Sequence, residues 1–280
     1  MTAESKPFAV VTGASRGIGF ELARQFAEHG FDLLVCADDA AIGAAEAEIG
    51  ALGAGVRALP VDLATPEGVE RVVAAVEEDG RPVDALVLNA GIGVGGPFAE
   101  TPWADDRQLL ELNVVSTVHL TKRVLPAMVA RGAGRVLFTG SVAGTMPGPY
   151  YATYAASKAF VLSFAQAIRY EVKDSGVTVT TLMPGPTDTD FFTRADMEDT
   201  RVAQGPKDDP AEIAREGFEA LMAGKDRVVA GSAKNTVQVT SARVMPEQAQ
   251  AAMHARQTRP GSGSEESGGS GEGDAGVRQG

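Results

Sequence analysis

The chain has 280 residues, 44% of them hydrophobic, and its 37 Asp and Glu against 25 Lys and Arg leave a net charge of −12. That size fits one α/β domain or two small ones, with enough apolar material for a sizeable core. The acidic field repels phosphate backbones and acidic lipid, so a nucleic-acid or membrane-surface role would need a local basic stripe, which the sequence lacks. The single cysteine, Cys36, cannot close an internal disulfide and lies in the apolar run Leu33–Ala37, where a buried thiol is expected. No stretch reads as a signal-peptide core or a membrane span, so a reducing, cytoplasmic location is expected.

In chain order, short apolar runs stand at Phe8–Val11, Asp32–Ala37, Val56–Leu59, Val83–Leu88, Arg135–Thr139, Val177–Met183 and Arg227–Ala230. Between them the pattern predicts helices near 17–29, 40–53, 66–79, 103–131, 151–174 and 208–223. Pro66 sits where a first helical turn would begin, and Gly30 and Gly176 follow helix ends. Strands with little polar alternation, each joined to the next by a helix, predict an α/β domain: a parallel sheet of about seven strands with helices on both faces. Beyond it lie Asn235–Val244 and a final helix, Pro246–Ala255. From Arg259 the last 22 residues hold eight glycines and four serines. Residues 1–256 are therefore expected to form one catalytic domain, and 257–280 a disordered Gly/Ser/acidic tail.

Gly13-Ala14-Ser15-Arg16-Gly17-Ile18-Gly19 follows the first strand and opens the first helix. Gly13 permits the tight turn, Gly17 lets the backbone approach a pyrophosphate, and Gly19 lets the helix pack near the strand. The free N–H groups and the dipole of the helix N-terminus face the anion. Further along, Tyr150, Tyr151 and Tyr154 crowd just upstream of Lys158. Only Tyr154 stands four residues before the lysine, one helical turn away on the same face. An ammonium there would stabilise a phenolate and bring the phenol's pKa down from ~10 toward working pH. Taken singly, Ser141 reads as a turn former at a strand end, and Asn113 as a satisfied buried amide.

The G-x-x-x-G-x-G spacing resembles the non-extended branch of the short-chain dehydrogenase/reductase family, and later segments agree over roughly residues 7–231. Asp62-Leu63 resembles the family's pair beside the adenine. Asn89-Ala90-Gly91 resembles the motif that steadies the sheet near the nicotinamide. Pro184-Gly185 resembles the turn bordering that ring, with Thr187 just beyond. Asn113, Ser141, Tyr154 and Lys158 match the catalytic tetrad in order. The resemblance implies a single-domain, Rossmann-like, doubly wound sheet binding NAD(P), and an oxidoreductase interconverting a carbonyl and a secondary alcohol. Tyr154 would be the acid and base. Lys158 would also bind the nicotinamide ribose, Ser141 would hold the substrate oxygen, and Asn113 would hold a water of the proton relay. It also implies a homodimer or homotetramer through the helices near 103–131 and 151–174.

Asp38, after the second strand, should repel a 2′-phosphate, whereas Arg16 is placed to attract one; the balance leans to NAD. Loops at 93–98, 142–151 and 186–192 should supply the substrate walls, with Val94, Met146, Tyr151 and Phe191 the candidates. Their apolar character, without an arginine clamp, predicts a hydrophobic small-molecule substrate. The alternative is a silent NAD(P)-binding sensor or scaffold of the same fold, which would not need all four tetrad residues. His29, His119 and His254 are scattered and carry no metal-ligand spacing, so no metal and no role is assigned to them.

Overall fold

Strands that carry almost no polar alternation must be covered on both faces. In the computed structural model, which describes residues 6–242 and 244–264, seven such strands form one parallel sheet. They are β1 (Phe8–Thr12), β2 (Asp32–Ala37), β3 (Val56–Pro60), β4 (Ala85–Leu88), β5 (Gly134–Thr139), β6 (Val177–Pro184) and β7 (Arg227–Ala230). Their spatial order is β3-β2-β1-β4-β5-β6-β7. The winding reverses between β1 and β4, which opens a crevice at the carboxyl ends of these neighbours, the place where open α/β sheets bind ligands.

The helices are α1 (Gly17–Glu28), α2 (Ile42–Gly50), α3 (Pro66–Asp79), α4 (Trp103–Leu110), α5 (Ser116–Arg131), α6 (Ala152–Val172), α7 (Phe191–Arg194), α8 (Arg201–Gln204), α9 (Pro210–Met222), α10 (Ala233–Ala242) and α11 (Glu247–Thr258). Successive strand residues point to opposite faces, so each strand feeds two cores. Val10, Leu34, Leu86, Val136 and Phe138 bury with Val72, Leu120 and Val161 of α3, α5 and α6. Ala9, Val11, Leu33, Val35, Val87 and Leu137 bury with Leu22, Ile49 and Phe218 of α1, α2 and α9. Phe26 of α1 meets Phe218 of α9 edge-on, ring centroids 5.0 Å apart, and so fixes the helix that follows the glycine loop. Burial pushes the Cys36 thiol up to about 12, which makes it an inert core side chain.

The expected punctuation is present: Thr65 caps α3 through Gly68 N (3.0 Å) with Pro66 in its first turn, and Gly30 and Gly176 hold φ +84 and +78. Two departures matter for the site. The pattern at 103–131 is helical throughout but not uniformly α: a π-helical turn at Glu111–Val115 lies between α4 and α5, and such turns re-aim side chains locally. The domain boundary expected at residue 256 falls inside α11, and the chain stays ordered to residue 264. Gly261 N donates to Asp199 Oδ2 (2.6 Å), Gly263 N to Asp199 O (2.9 Å), and Arg201 N to Ser262 Oγ (2.9 Å). Those hydrogen bonds supply the ordering that its Gly/Ser composition cannot. The rest of the expected disordered tail, 265–280, lies outside the described residues.

Two helical glycines separate packing from propensity. A Cβ on Gly19 would overlap Gly13 O and Asn89 Nδ2, whereas one on Gly43 would meet nothing within 4 Å. Gly19→Ala is expected to lower the unfolding free energy in urea by about 2 kcal/mol. Gly43→Ala should raise it by about 0.5 kcal/mol.

Candidate active site

The carboxyl edge of the sheet is built from backbone that must approach closely. Gly13 (φ +66) extends the β1 ladder by donating to Cys36 O (2.8 Å), and a Cβ there would stand 2.8 Å from Ala90 Cα. Gly17 (φ +57) leaves room beside Thr189, whose Cγ2 a side chain would meet at 2.9 Å. No side chain caps α1, so its first-turn N–H groups remain available to an anion. Glycine cradle and uncapped helix together fit the pyrophosphate of a dinucleotide.

One hydrogen-bonded chain joins this cradle to the lysine. Asn89 Nδ2 donates to Thr12 O (3.1 Å) and Gly13 O (3.2 Å), and Asn89 Oδ1 accepts from Thr139 Oγ1 (3.2 Å). Thr139 O accepts in turn from Lys158 Nζ (2.9 Å). Thr12 Oγ1 accepts from the N–H groups of Asn89 (2.9 Å) and Ala90 (3.0 Å) and donates to Val87 O (3.2 Å). Thr12 and Thr139 therefore carry structural work that the sequence reading did not assign. From the other side Asn113, on the π-helical turn, grips Ile92 at both N–H and C=O (2.9 Å each) and donates to Ser157 Oγ (3.1 Å). Both ends of its amide are engaged, so the side chain clamps the loop after β4, and Asn113 does not line the cavity.

Ser141, at the end of β5, and Tyr154 and Lys158, on one face of α6, are all buried and face one cavity of about 270 Å³. The Ser141 hydroxyl donates to Pro184 O (3.5 Å) and accepts from Ala143 N (3.1 Å). The lysine does not lower the phenol's pKa as the helical spacing predicts. Burial pushes Tyr154 up to about 12, opposed by the Ser141 hydrogen bond, and pushes Lys158 down to about 8. The reason is geometric: Nζ donates to Thr139 O and lies 5.8 Å from the Tyr154 ring centroid, so desolvation outweighs attraction at both groups.

The cavity collects Gly13, Ser15, Arg16, Gly17, Ile18, Gly19, Asp38, Asp62, Leu63, Asn89, Ala90, Gly91, Pro184, Gly185 and Thr187 along its long side. Tyr151 and Phe191 line it as expected. Val94 and Met146 do not: Val94 is partly buried against the cluster that contains Tyr151 and Tyr154, and Met146 is buried in the loop before α6. Ile92, Leu112, Val142, Phe192, Met197 and Val202 supply the apolar wall instead, and α11 adds His254 and Gln257. Near the adenosine end Arg16 is held by Asp39 (3.1 Å) and Asp190 (2.8 Å), and Arg194 approaches Asp38 (3.8 Å). Asp39, absent from the sequence reading, bonds Ser15 Oγ (2.9 Å). Although burial works against it, hydrogen bonds from Ser15 and the Ala41 N–H, with the Arg16 guanidinium, hold its carboxyl below the ordinary range.

Residues 7–199 match the family model described as short chain dehydrogenase. The chain is 38% identical over 221 residues to a 3-oxoacyl-acyl-carrier-protein reductase of Vibrio cholerae, a match spanning 74% of this chain and 86% of that protein. A short-chain dehydrogenase from Sphingobium yanoikuyae in complex with NADPH superposes with a TM-score of 0.76 at 29% identity, over 85% of this chain and 94% of that one. The bulky-bulky ketone specific alcohol dehydrogenase from Comamonas testosteroni superposes with a TM-score of 0.71 at 25% identity, over 85% and 92%.

Two outcomes are expected at the buried pair. Tyr154→Phe should abolish turnover while NADH binding, read by fluorescence, stays near wild type. Lys158→Met should remove a pH dependence of stability. The folded pKa of about 8 lies below the ordinary 10.5, so below pH 8 the fold bears the whole cost of a buried ammonium. Between about pH 8 and 10.5 the unfolded chain binds the extra proton, and wild-type stability rises with pH relative to the variant. Urea unfolding of both proteins across that range measures the difference.

Proposed function

We propose a specific reaction for this chain, which belongs to the short-chain dehydrogenase family: it interconverts an uncharged, hydrophobic ketone and its secondary alcohol, with NAD(H) preferred and Tyr154 as acid and base. The chain is an NAD(P)-dependent oxidoreductase acting between CH–OH and carbonyl groups. The observation that carries the finer reading is the state of the cations around the cavity. Arg16 is neutralised by Asp39 and Asp190, Arg194 faces Asp38, and Lys158 is bound to a backbone carbonyl. No cation among the described lining residues is left to clamp a substrate carboxylate or phosphate, and the remaining walls at the substrate end are apolar. The same acids disfavour a 2′-phosphate on the adenosine ribose.

When bound, the nicotinamide supplies or accepts the hydride. The residues of this chain do the rest. The Gly13–Gly19 loop and the α1 N-terminus hold the pyrophosphate, Asp38 a ribose hydroxyl, Asp62 and Leu63 the adenine, and Lys158 the nicotinamide ribose. Asn89-Ala90-Gly91, Pro184-Gly185 and Thr187 bound the nicotinamide end. Ser141 donates to the substrate oxygen, and Tyr154 gives that oxygen a proton during reduction or takes one during oxidation. A phenol near 12 is fully protonated at neutral pH, so it is ready as an acid. It becomes a base only where a nearby positive charge brings it down.

Homo-oligomerisation and a cytoplasmic location belong to the same reading. Trp103 of α4 and Phe160 and Tyr170 of α6 expose large apolar surface on the helices expected to meet a second copy. No helix of the described residues is long and apolar enough to cross a membrane.

Absorbance at 340 nm with a ketone panel tests this. NADH should support faster turnover than NADPH, and an aryl alkyl ketone should be reduced with a kcat/KM at least about tenfold above a keto acid of equal size. A strong NADPH preference would remove the argument from Asp38 and Asp39. Activity confined to anionic substrates would remove the argument from the paired cations. Absence of turnover by a folded, NADH-binding protein would favour the silent sensor.

A further inference from the structure

We propose that His254 is a positioning residue: it accepts the hydrogen bond of the Tyr151 hydroxyl and so leaves Tyr154 as the one of two stacked phenols whose proton is free for the substrate. The proposal rests on the reading of Tyr154 as the acid and base. Tyr151 and Tyr154 stand one turn apart at the start of α6, with ring centroids 5.8 Å apart at 23°, and both line the cavity. Two adjacent phenols present a carbonyl oxygen with two possible donors, and only one of them belongs with Ser141. Something must silence the other.

The hydrogen bonds around His254 do this by elimination. Its Nδ1 lies 2.9 Å from Pro147 O, which can only accept, so Nδ1 carries a proton. The ring is buried, and burial pulls its pKa below the ordinary value, against the Pro147 hydrogen bond, which leaves it neutral at pH 7. Nε2 of a neutral ring protonated on Nδ1 is an acceptor, and it lies 2.6 Å from the Tyr151 hydroxyl. Tyr151 must therefore donate to it. The phenol keeps lone pairs for the cavity but has no proton to offer there.

The helix that brings His254 is fixed at its far end. Thr258, one turn further along α11, donates to Pro149 O (2.8 Å), and the turn after it is tied to Asp199 and Arg201. The loop at Pro147–Tyr151 and the flap containing α7 and α8 are thus held by the same C-terminal segment. The tautomer of His254 is set by a rigid partner and not by solvent.

Freeing the Tyr151 proton gives the substrate a second, unproductive pose, and that has a kinetic signature distinct from a damaged site. With propiophenone and NADH, His254→Phe is expected to lower kcat and KM together, each by about tenfold, the worth of one hydrogen bond, with kcat/KM nearly unchanged. In a Tyr151→Phe background the freed proton is gone, so adding His254→Phe should change neither constant. A fall in kcat/KM with KM unchanged, or the same loss in both backgrounds, would overturn the proposal in favour of packing alone. Independently of turnover, ¹⁵N NMR at pH 7, with the signal assigned by its loss in His254→Phe, should show Nδ1 protonated and Nε2 bare. The opposite tautomer or an imidazolium would also overturn it. Wild-type protein that reduces no ketone would instead defeat the functional reading, while the NMR result would still decide the hydrogen bond.

Discussion

Asn89 donates from one amide nitrogen to Thr12 O and Gly13 O and accepts at its oxygen from Thr139, so the carboxyl ends of β1, β4 and β5 close around a single side chain. Everything the site does hangs from this junction. On one side it sets the glycine cradle, where Gly13 lies against Ala90 and Gly19 against Gly13. On the other, Thr139 presents its carbonyl to Lys158, and the next two residues lead to Ser141. Losing one partner of a buried polar group costs about 1–3 kcal/mol. A network sharing a single amide concentrates that cost at both the coenzyme cradle and the catalytic face.

Burial gives the second constraint. Tyr154 and Lys158 are so far removed from water that each is driven toward its neutral form, the phenol up and the ammonium down. In the proposed reaction this leaves the phenol protonated at neutral pH, ready to serve as the acid. The paired cations around the cavity fit the same economy: the charges that matter are already matched within the chain, and the substrate end offers shape and apolar surface.

Much of this was legible in the sequence because it is local or periodic. The seven strand runs, the glycine loop and the i, i+4 spacing of Tyr154 and Lys158 follow from backbone geometry, and the observed elements differ mainly by a residue or two at their ends. What was not legible depends on contacts distant in sequence. His254 reaches Tyr151 across 103 positions, and no spacing announces such a pair. Thr12 reads as one more residue in a turn until Asn89 and Ala90 are seen donating to it. Asn113 alone reads as a satisfied amide, and only the family resemblance gives it a relay water; that its side chain clamps Ile92 and Ser157 is visible only in the fold. Val94 and Met146 sit in the right loops but do not line the cavity, a choice that loop sequence does not encode. Residues 261–263, at the start of the Gly/Ser run, are held by Asp199 and Arg201, partners some sixty positions away that composition does not reveal.

One amide supports both the cradle and the lysine, and Asn89→Ala tests that directly. The dissociation constant for NADH, by fluorescence titration, and kcat with a ketone substrate would be measured on the same folded variant. Because the cradle and the lysine hang from the same side chain, both are expected to worsen by about tenfold or more, in line with the cost of unsatisfied buried partners. A variant that binds NADH as tightly as wild type and turns over normally, or that loses one property and keeps the other, would contradict it.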